Sequence, residues 1–130
     1  MNGIVITSDN KISVQDFKAP LHVSLGKVVG GYIEVVNPRG LPAPYCMIVN
    51  EEGHLRGQPL NAVGSYLYQT YLHGSPIVGD IVILKHGMTW RGHDIVGLGD
   101  SEISELCRQL YELVHAIERA DKKAKEEDEE

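Results

Sequence analysis

The 130-residue sequence has few cysteines, no long apolar run and no signal-peptide pattern at its N-terminus. Its two cysteines, Cys46 and Cys107, are far apart and belong to no metal-ligand spacing, so neither a disulfide framework nor a cysteine-based zinc site is expected. We interpret both as small buried hydrophobic residues in a reducing compartment. No stretch approaches the roughly 18 apolar residues of a transmembrane helix, and the N-terminus lacks the basic start of a signal peptide. These absences predict a cytoplasmic protein without a membrane partner.

Clusters of basic residues are missing as well. The net charge is −6, and the last ten residues, with three lysines and six acids, supply −3 of it. No stripe of Lys and Arg runs along any segment, so we expect no duplex nucleic acid as partner, because phosphate contacts supply most of that affinity. A small anionic ligand is compatible with this charge, since it needs only one or two local cations or a helix N-terminus.

Known catalytic, metal and phosphate motifs are also absent from the sequence. The glycines match neither G-x-x-x-x-G-K-[ST] nor G-x-G-x-x-G, and no Ser or Cys lies in a nucleophile motif. His86 and His93-Asp94 give the spacing H-x6-H-D, which lacks the tight pairs and further ligands of a zinc site. We therefore predict no catalytic residue, no metal and no cofactor.

Apolar periodicity predicts one α+β domain over residues 1–120, with a twisted, mainly antiparallel sheet. The strands are expected at 3–7, 11–17, 31–36, 45–50 and 76–85. Because hairpin signals rather than helices join the strands, the pattern argues against a parallel, doubly wound sheet. The Gly-rich segment 86–99 is expected to be irregular, with a short strand at 94–96 as its only candidate element.

Two short helices and one long C-terminal helix are expected to cover this sheet. The first helix begins after Pro20 and ends at Gly30, and one face of it consists of Leu21, Leu25, Val28 and Val29. The second helix follows an N-cap at Asn61 and runs to Gly74. In the second helix Val63, Leu67 and Tyr71 should face the core. The long helix begins at Asp100 or Ser101, and its apolar stripe consists of Ile103, Leu106, Cys107, Leu110, Leu113, Val114 and Ile117. Residues 121–130 are expected to form an acidic, disordered tail, because their acids oppose the helix dipole.

The stretch NEEG, which begins at Asn50, fits either a turn or a reactive cluster. Asn50 and Gly53 occupy the first and fourth positions of a type I turn, as the ends of NPRG at 37–40 do. On that interpretation Glu51 and Glu52 are exposed turn residues. General acid–base catalysis by them would need a pocket that shifts a pKa, and a hairpin tip seldom provides one.

Aromatic and arginine side chains indicate a ligand site. Tyr66, Tyr68 and Tyr71 crowd the second helix, and Trp90-Arg91 lies in the Gly-rich segment. Aromatic faces with a guanidinium suit stacking on a base and holding a phosphate, whereas the alternative is that the tyrosines complete a small core. The candidate ligand-binding residues are Asn50, Glu51, Glu52, Arg56, Asn61, Tyr66, Tyr68, Trp90 and Arg91.

Three segments occur in an order that carries a family resemblance. They are VVGGYIEVV at 28–36, MIVNEEGHLRGQPLN at 47–61 and GSPIVGDIVIL at 74–84, followed by a turn and a final helix. This order resembles a domain-of-unknown-function family of small proteins encoded by phages, prophages and conjugative plasmids. The family pattern includes both glutamates of NEEG and commonly has Arg after the Asn of its P-x-N step. Because this chain has Ala62 there, another cation such as Arg56 or Arg91 would have to serve.

The resemblance supplies no catalytic residue, but it implies a mobile-element origin and a bacterial host. We therefore expect a non-enzymatic counter-defence protein that binds and sequesters a small nucleotide-type immune signal as a homo-oligomer. One alternative is a protein–protein inhibitor of a host defence or transcription protein, acting through the acidic surface. Another is a nucleotide-degrading enzyme that uses Glu51, Glu52 or His54. The long helix is the expected oligomerisation element if its stripe does not pack wholly on the sheet.

Overall fold

A computed structural model describes residues 1–70 and 74–128 of the chain. Within these residues, six antiparallel strands form one open sheet and three helices cover it, so the predicted α+β class is confirmed. The elements are β1 (Asn2–Ile6), β2 (Ile12–Asp16), α1 (Leu21–Val29), β3 (Ile33–Val36), β4 (Tyr45–Asn50), α2 (Ala62–Tyr68), β5 (Ile81–Thr89), β6 (Gly92–Val96) and α3 (Asp100–Asp128).

The sheet has the strand order β2-β1-β5-β4-β3, and β6 pairs with the second half of β5. In the register of β4 and β5, Ile48 lies beside Val82 and Tyr45 beside Lys85. This order leaves β2 and β3 at the two ends of the path, and β6 is bordered by β5 on one side only. The C-terminal end of β4 therefore lies beside the start of β5, while the β5–β6 turn lies at the opposite end of the sheet.

Both faces of the central strands are buried. Successive side chains of a strand point to opposite faces, so Met47 and Val49 of β4 join the core under α2 and α3. Cys46 and Ile48 join a second core under α1. This two-sided burial explains why β4 is an almost continuous apolar run rather than an alternating one.

The helices α1 and α3 confirm their predicted faces. Leu25 and Val29 of α1 are buried, and Gly30 ends the helix with a positive φ of 85°. On α3, three stripe residues are buried and the other four pack against the same core; the buried ones are Leu106, Leu110 and Val114. The stripe thus packs on the chain's own sheet, although Tyr111 remains 51% exposed. None of the described helices is both long and apolar enough to cross a membrane.

Helix α2 ends earlier than predicted. Val63 and Leu67 are buried as expected, but the helix stops at Tyr68 because Gln69 adopts a left-handed φ of 62°. The Thr70 amide then donates to the Ser65 oxygen at 3.1 Å, which closes the helix in the manner of a Schellman motif. The predicted continuation through Tyr71 to residue 73 lies outside the described residues.

The segment predicted to be irregular is a β-hairpin instead. β5 continues to Thr89 and β6 returns from Gly92 to Val96, so only the predicted strand at 94–96 is confirmed. A Cβ on Gly87 would lie 2.6 Å from Val96 Cγ2, so this glycine permits close strand packing rather than marking a loop. At its other end β5 begins at Ile81 and not at 76, since Gly79 takes a φ of 75°.

Helix α3 extends beyond its predicted end near residue 120, as far as Asp128. The extension is rich in Ala, Lys and Glu, which favour helix, and Lys125 lies 3.4 Å from Asp121 one turn earlier. These contacts outweigh the unfavourable dipole on which the predicted tail at 121–130 was based. The division between domain and tail stays a prediction.

Candidate functional site

Three segments of the chain meet where β4 ends. Asn50 Nδ2 donates to the main-chain oxygen of Val29 at 3.0 Å, and Gln58 Nε2 donates to the same oxygen at 3.1 Å. Gly53 and Gly79 lie against Gln58, so closely that a Cβ on Gly79 would collide with its Oε1. We call this convergence of residues 28–31, 50–58 and 78–80 the motif junction. It brings together parts of all three resemblance-bearing segments.

The NEEG stretch forms the predicted turn. The Gly53 amide donates to the Asn50 oxygen at 3.2 Å, and the Glu52 amide donates to Asn50 Oδ1 at 2.7 Å. The glycine of NPRG has a different partner from that of NEEG. The Gly40 amide donates to the main-chain oxygen of Leu67 in α2 at 2.7 Å, and not to the first residue of its own turn. The chain after NEEG continues through further turns to residue 57 and is not the second strand of a hairpin.

Asn61 has a structural role. It is fully buried, its Nδ2 donates to the oxygens of Ile6 and Gly79, and its Oδ1 accepts the Gly64 amide at 2.8 Å. The predicted N-cap is thus confirmed. The predicted ligand contact is not supported, because a fully enclosed side chain presents no atom to a solute.

A depression of about 590 Å³, which we call the α1-side groove, lies next to the motif junction. Its lining consists of His22, Gly31, Tyr32, Ile33, Glu51 and Arg56. Tyr32 is 72% exposed, so its ring is available to a ligand. Arg56 Nη2 lies 3.4 Å from Glu52 Oε2, but both side chains are exposed and such pairs are weak. The guanidinium can therefore exchange this partner for an anion.

A smaller depression of about 150 Å³, the α2-side groove, lies on the other side of the same turn. It is lined by Glu34, Glu51, His54, Tyr68 and Ile77, among others. His54 Nε2 donates to the Pro76 oxygen at 2.7 Å, which fixes the imidazole against the groove wall. Glu51 lines both grooves, so the two depressions meet at this residue.

Trp90 and Arg91 lie far from both grooves. They form the β5–β6 turn, where Trp90 is 89% exposed and Arg91 Cζ lies 4.9 Å from the centre of its ring. The β4–β5 register places Asn50 beside position 80, ten residues before Trp90. At about 3.3 Å per residue the pair lies roughly 30 Å from the grooves. The structure therefore separates the predicted ligand set into two places.

Tyr66 and Tyr68, which were predicted to belong to one site, lie in different surroundings. Tyr68 lines the α2-side groove, whereas Tyr66 is 52% exposed on α2 and lines neither groove. The residues that the grooves unite are thus Asn50, Glu51, Arg56 and Tyr68, with Glu52 beside Arg56. Sequence reasoning missed Tyr32, His22 and Glu34. The only signal for Tyr32 and Glu34 was their place in the segment VVGGYIEVV.

The two histidines considered for a metal site hydrogen-bond to each other. His86 Nδ1 lies 2.9 Å from His93 Nε2, and His86 Nε2 lies 2.8 Å from Asn37 Oδ1. Because the amide oxygen accepts, His86 Nε2 is the donor there, and His93 Nε2 then donates to His86 Nδ1. Asp94 accepts instead from the Ile95 amide at 2.8 Å. No group of three or more His, Cys, Asp or Glu placed to hold a metal occurs in the described part of the chain.

The family comparison covers all of this region. The model of a family described as a domain of unknown function, DUF3846, matches residues 1–111, which include the motif junction and both grooves. No curated protein and no solved structure matches the chain.

Proposed function

The chain belongs to the family DUF3846, and we propose that it is a non-catalytic protein that binds a small nucleotide-type ligand in the α1-side groove. One observation carries the proposal: an open tyrosine ring, a guanidinium and a carboxylate line the same depression of about 590 Å³. Pockets of a few hundred Å³ accommodate small organic ligands. The size and the side chains therefore suit one ligand with a ring, an anionic group and hydroxyls.

Each lining residue has a distinct role in this proposal. Tyr32 stacks on the base, since aromatic faces bind any base by stacking. Arg56 donates to a phosphate by turning from Glu52, its partner at 3.4 Å. Glu51 accepts hydrogen bonds from ribose hydroxyls or from an exocyclic amine. Asn50 acts indirectly, because its side chain holds the turn that carries Glu51.

The local charge limits the class of nucleotide. Of the lining residues that the structure describes, Arg56 and His22 can carry positive charge, while Glu51 lines the same groove and Glu52 pairs with Arg56. The whole chain carries −6. A triphosphate would meet repulsion here that a ligand with fewer phosphates avoids. The proposal therefore favours nucleotide signals with few charges, such as cyclic dinucleotides or ADP-ribose derivatives.

We extend the proposal to a biological role in which the protein sequesters such a signal as a homo-oligomer. The support is the order of the segments at 28–36, 47–61 and 74–84, which resembles small phage and plasmid proteins. Mobile elements benefit from small proteins that remove a host immune signal without degrading it. Sequestration needs affinity and abundance, not a catalytic centre, and agrees with the absence of any nucleophile motif in the sequence.

Titration calorimetry with purified protein tests this function. ADP-ribose and cyclic dinucleotides should release heat on binding, ATP should bind more weakly, and the ligand should be recovered intact after long incubation with divalent metal. A mass spectrum of small molecules released from the heat-denatured protein identifies a ligand that co-purifies. Absence of heat with every nucleotide, together with no released nucleotide, contradicts the proposal. Recovery of a cleaved ligand supports an enzyme instead.

A further inference from the structure

The strands at the two ends of the order β2-β1-β5-β4-β3 differ in character. The β2 edge exposes Ser13, Gln15 and Asp16 together with Val14, which is 48% exposed. The β3 edge consists of Ile33, Glu34, Val35 and Val36, with Val35 41% exposed. It carries neither Lys nor Pro, the residues that commonly protect edges from further pairing. Three of the four β3 residues are apolar, against two of the five in β2, so of these two edges β3 is the better suited to another strand.

The hydrogen-bonding groups that β3 offers follow from its pairing with β4. The Glu51 amide donates to the Tyr32 oxygen at 2.9 Å, which makes positions 32 and 51 a hydrogen-bonded pair. Such pairs alternate along an antiparallel ladder, so Glu34 and Val36 also bond to β4. The amides and oxygens of Ile33 and Val35 point outwards, and nothing in residues 1–70 or 74–128 pairs with them in the sheet.

A second copy of the chain is a poor occupant of this edge. Symmetric antiparallel pairing that uses the outward groups of both Ile33 and Val35 places Glu34 opposite Glu34 of the other copy. Like charges directly opposite each other destabilise a strand pair. The alternative register, with Val35 opposite itself, pairs Ile33 with Asn37, which lies beyond the end of β3. The charge on Glu34 therefore disfavours self-association and favours a basic residue in that position.

We propose that the β3 edge binds an extended segment of another protein, which adds as an antiparallel strand with Lys or Arg opposite Glu34. Directly opposite residues share a face, so the basic side chain points into the α2-side groove, where it meets both Glu34 and Glu51. The partner residues before and after this Lys or Arg lie directly opposite Ile33 and Val35, where apolar side chains are suitable. This surface adjoins the nucleotide groove and shares Ile33 and Glu51 with it, but its main-chain pairing along β3 requires no bound nucleotide.

Blocked pentapeptides of the pattern Thr-Val-Lys-Val-Thr test the proposal by titration followed with amide NMR of the full chain. Binding should slow hydrogen exchange at Ile33 and Val35, while the amides of Glu34 and Val36, already bonded to β4, change little. N-methylation of either valine removes a donor that faces β3 and should weaken binding at least about tenfold. N-methylation of the lysine, whose amide points away, is the matched control and should have little effect.

A charge exchange tests the partner's chemistry. The Glu34→Lys variant, changed at an exposed position, should lose the lysine peptide and bind its Lys→Glu counterpart instead. The proposal is overturned if no peptide binds at its solubility limit. It is also overturned if the peptides N-methylated at a valine bind as well as the peptide N-methylated at the lysine. It is also overturned if Ile33 and Val35 become protected in the unliganded protein as its concentration rises, because a second copy would then occupy the edge.

Discussion

Asn50 Nδ2 donates a hydrogen bond to the main-chain oxygen of Val29 at 3.0 Å, and this contact joins the end of β4 to the end of α1. These two ends flank the α1-side groove, so the bond sets the position of Glu51 relative to Tyr32 and His22. The same asparagine accepts the Glu52 amide at 2.7 Å. One buried amide thus determines the turn and orients the candidate site.

Replacement of Asn50 should lower the stability of the protein and also displace the turn that carries Glu51. In Asn50→Ala the Glu52 amide loses its acceptor, and we expect a loss of about 1–3 kcal/mol in the free energy of unfolding, measured with urea. Gln58→Ala, which removes the second donor to Val29 O, should couple to it in a double-mutant cycle. The exposed neighbour Glu51→Gln is the control for stability. Equal stability of Asn50→Ala and wild type contradicts this role.

The close packing of the β5–β6 hairpin gives a second prediction. In Gly87→Ala the new Cβ meets Val96 Cγ2 at 2.6 Å, and overpacking of this kind typically costs about 1–3 kcal/mol. The cost should shrink in a Val96→Ala background, which removes the obstacle. If the segment were an irregular loop, Gly87→Ala would leave the urea midpoint unchanged or raise it.

Lys85 and Glu102 give a pH dependence with a definite sign. Lys85 Nζ lies 2.7 Å from Glu102 Oε1, and this hydrogen bond, with one from the Gly99 amide, lowers the pKa of the Glu102 carboxyl. A lowered folded-state pKa stabilises the protein above the unfolded-state pKa, and the contribution is lost as pH falls through the folded value. Glu102→Gln should therefore be less stable than wild type at neutral pH, and the difference should disappear at low pH.

The control for this pair is Lys85→Met, which removes the cation and keeps the carboxylate. Its stability relative to wild type should follow the same pH course in urea unfolding. A constant difference between Glu102→Gln and wild type from neutral to acid pH would show that the charge of Glu102 is irrelevant.

Burial of Cys46 predicts selective thiol chemistry. Burial raises the pKa of the Cys46 thiol to about 11, and its side chain is inaccessible within β4. At pH 8 roughly a thousandth of it is thiolate, so iodoacetamide should label it only after unfolding. Cys107 on α3 is half-buried and should react first. Mass spectrometry of peptides from the native protein measures both, and equal labelling of the two cysteines contradicts this core assignment.

Sequence patterns predicted those helices and strands that residues close together in the sequence determine. The spacing of Leu25 and Val29 with Gly30 predicted α1, and Asn61 predicted the start of α2. The hairpin was missed because Gly87 is required by close packing against Val96 on the neighbouring strand, and no local pattern reveals a contact across strands. The early end of α2 was missed because Gln69 takes a conformation more typical of glycine or asparagine.

Of the residues that line the candidate site, the sequence identified those that are close together in the chain and missed those that the fold brings to them. Glu51 and Arg56 are close in sequence and line one groove, as expected from NEEGHLR. Trp90 and Arg91 were grouped with them by residue type, although the direction of β5 carries them to the other end of the sheet. Tyr32 was missed because a single tyrosine after two glycines has no spacing that indicates a ligand. Sequence proximity thus identified one wall of the groove, and the sheet topology supplied the other.

The binding of a nucleotide to Tyr32 variants tests the central claim most directly. The measurement is the dissociation constant, by titration calorimetry, of the tightest ligand among ADP-ribose and the cyclic dinucleotides, for wild type, Tyr32→Phe, Tyr32→Ala and Trp90→Ala. Stacking on a base is worth about 1–3 kcal/mol, so Tyr32→Ala should weaken binding at least about fivefold, whereas Tyr32→Phe and the distant Trp90→Ala should bind as wild type does. Loss of binding in Trp90→Ala with retention in Tyr32→Ala would contradict the account and place the ligand at the β5–β6 turn.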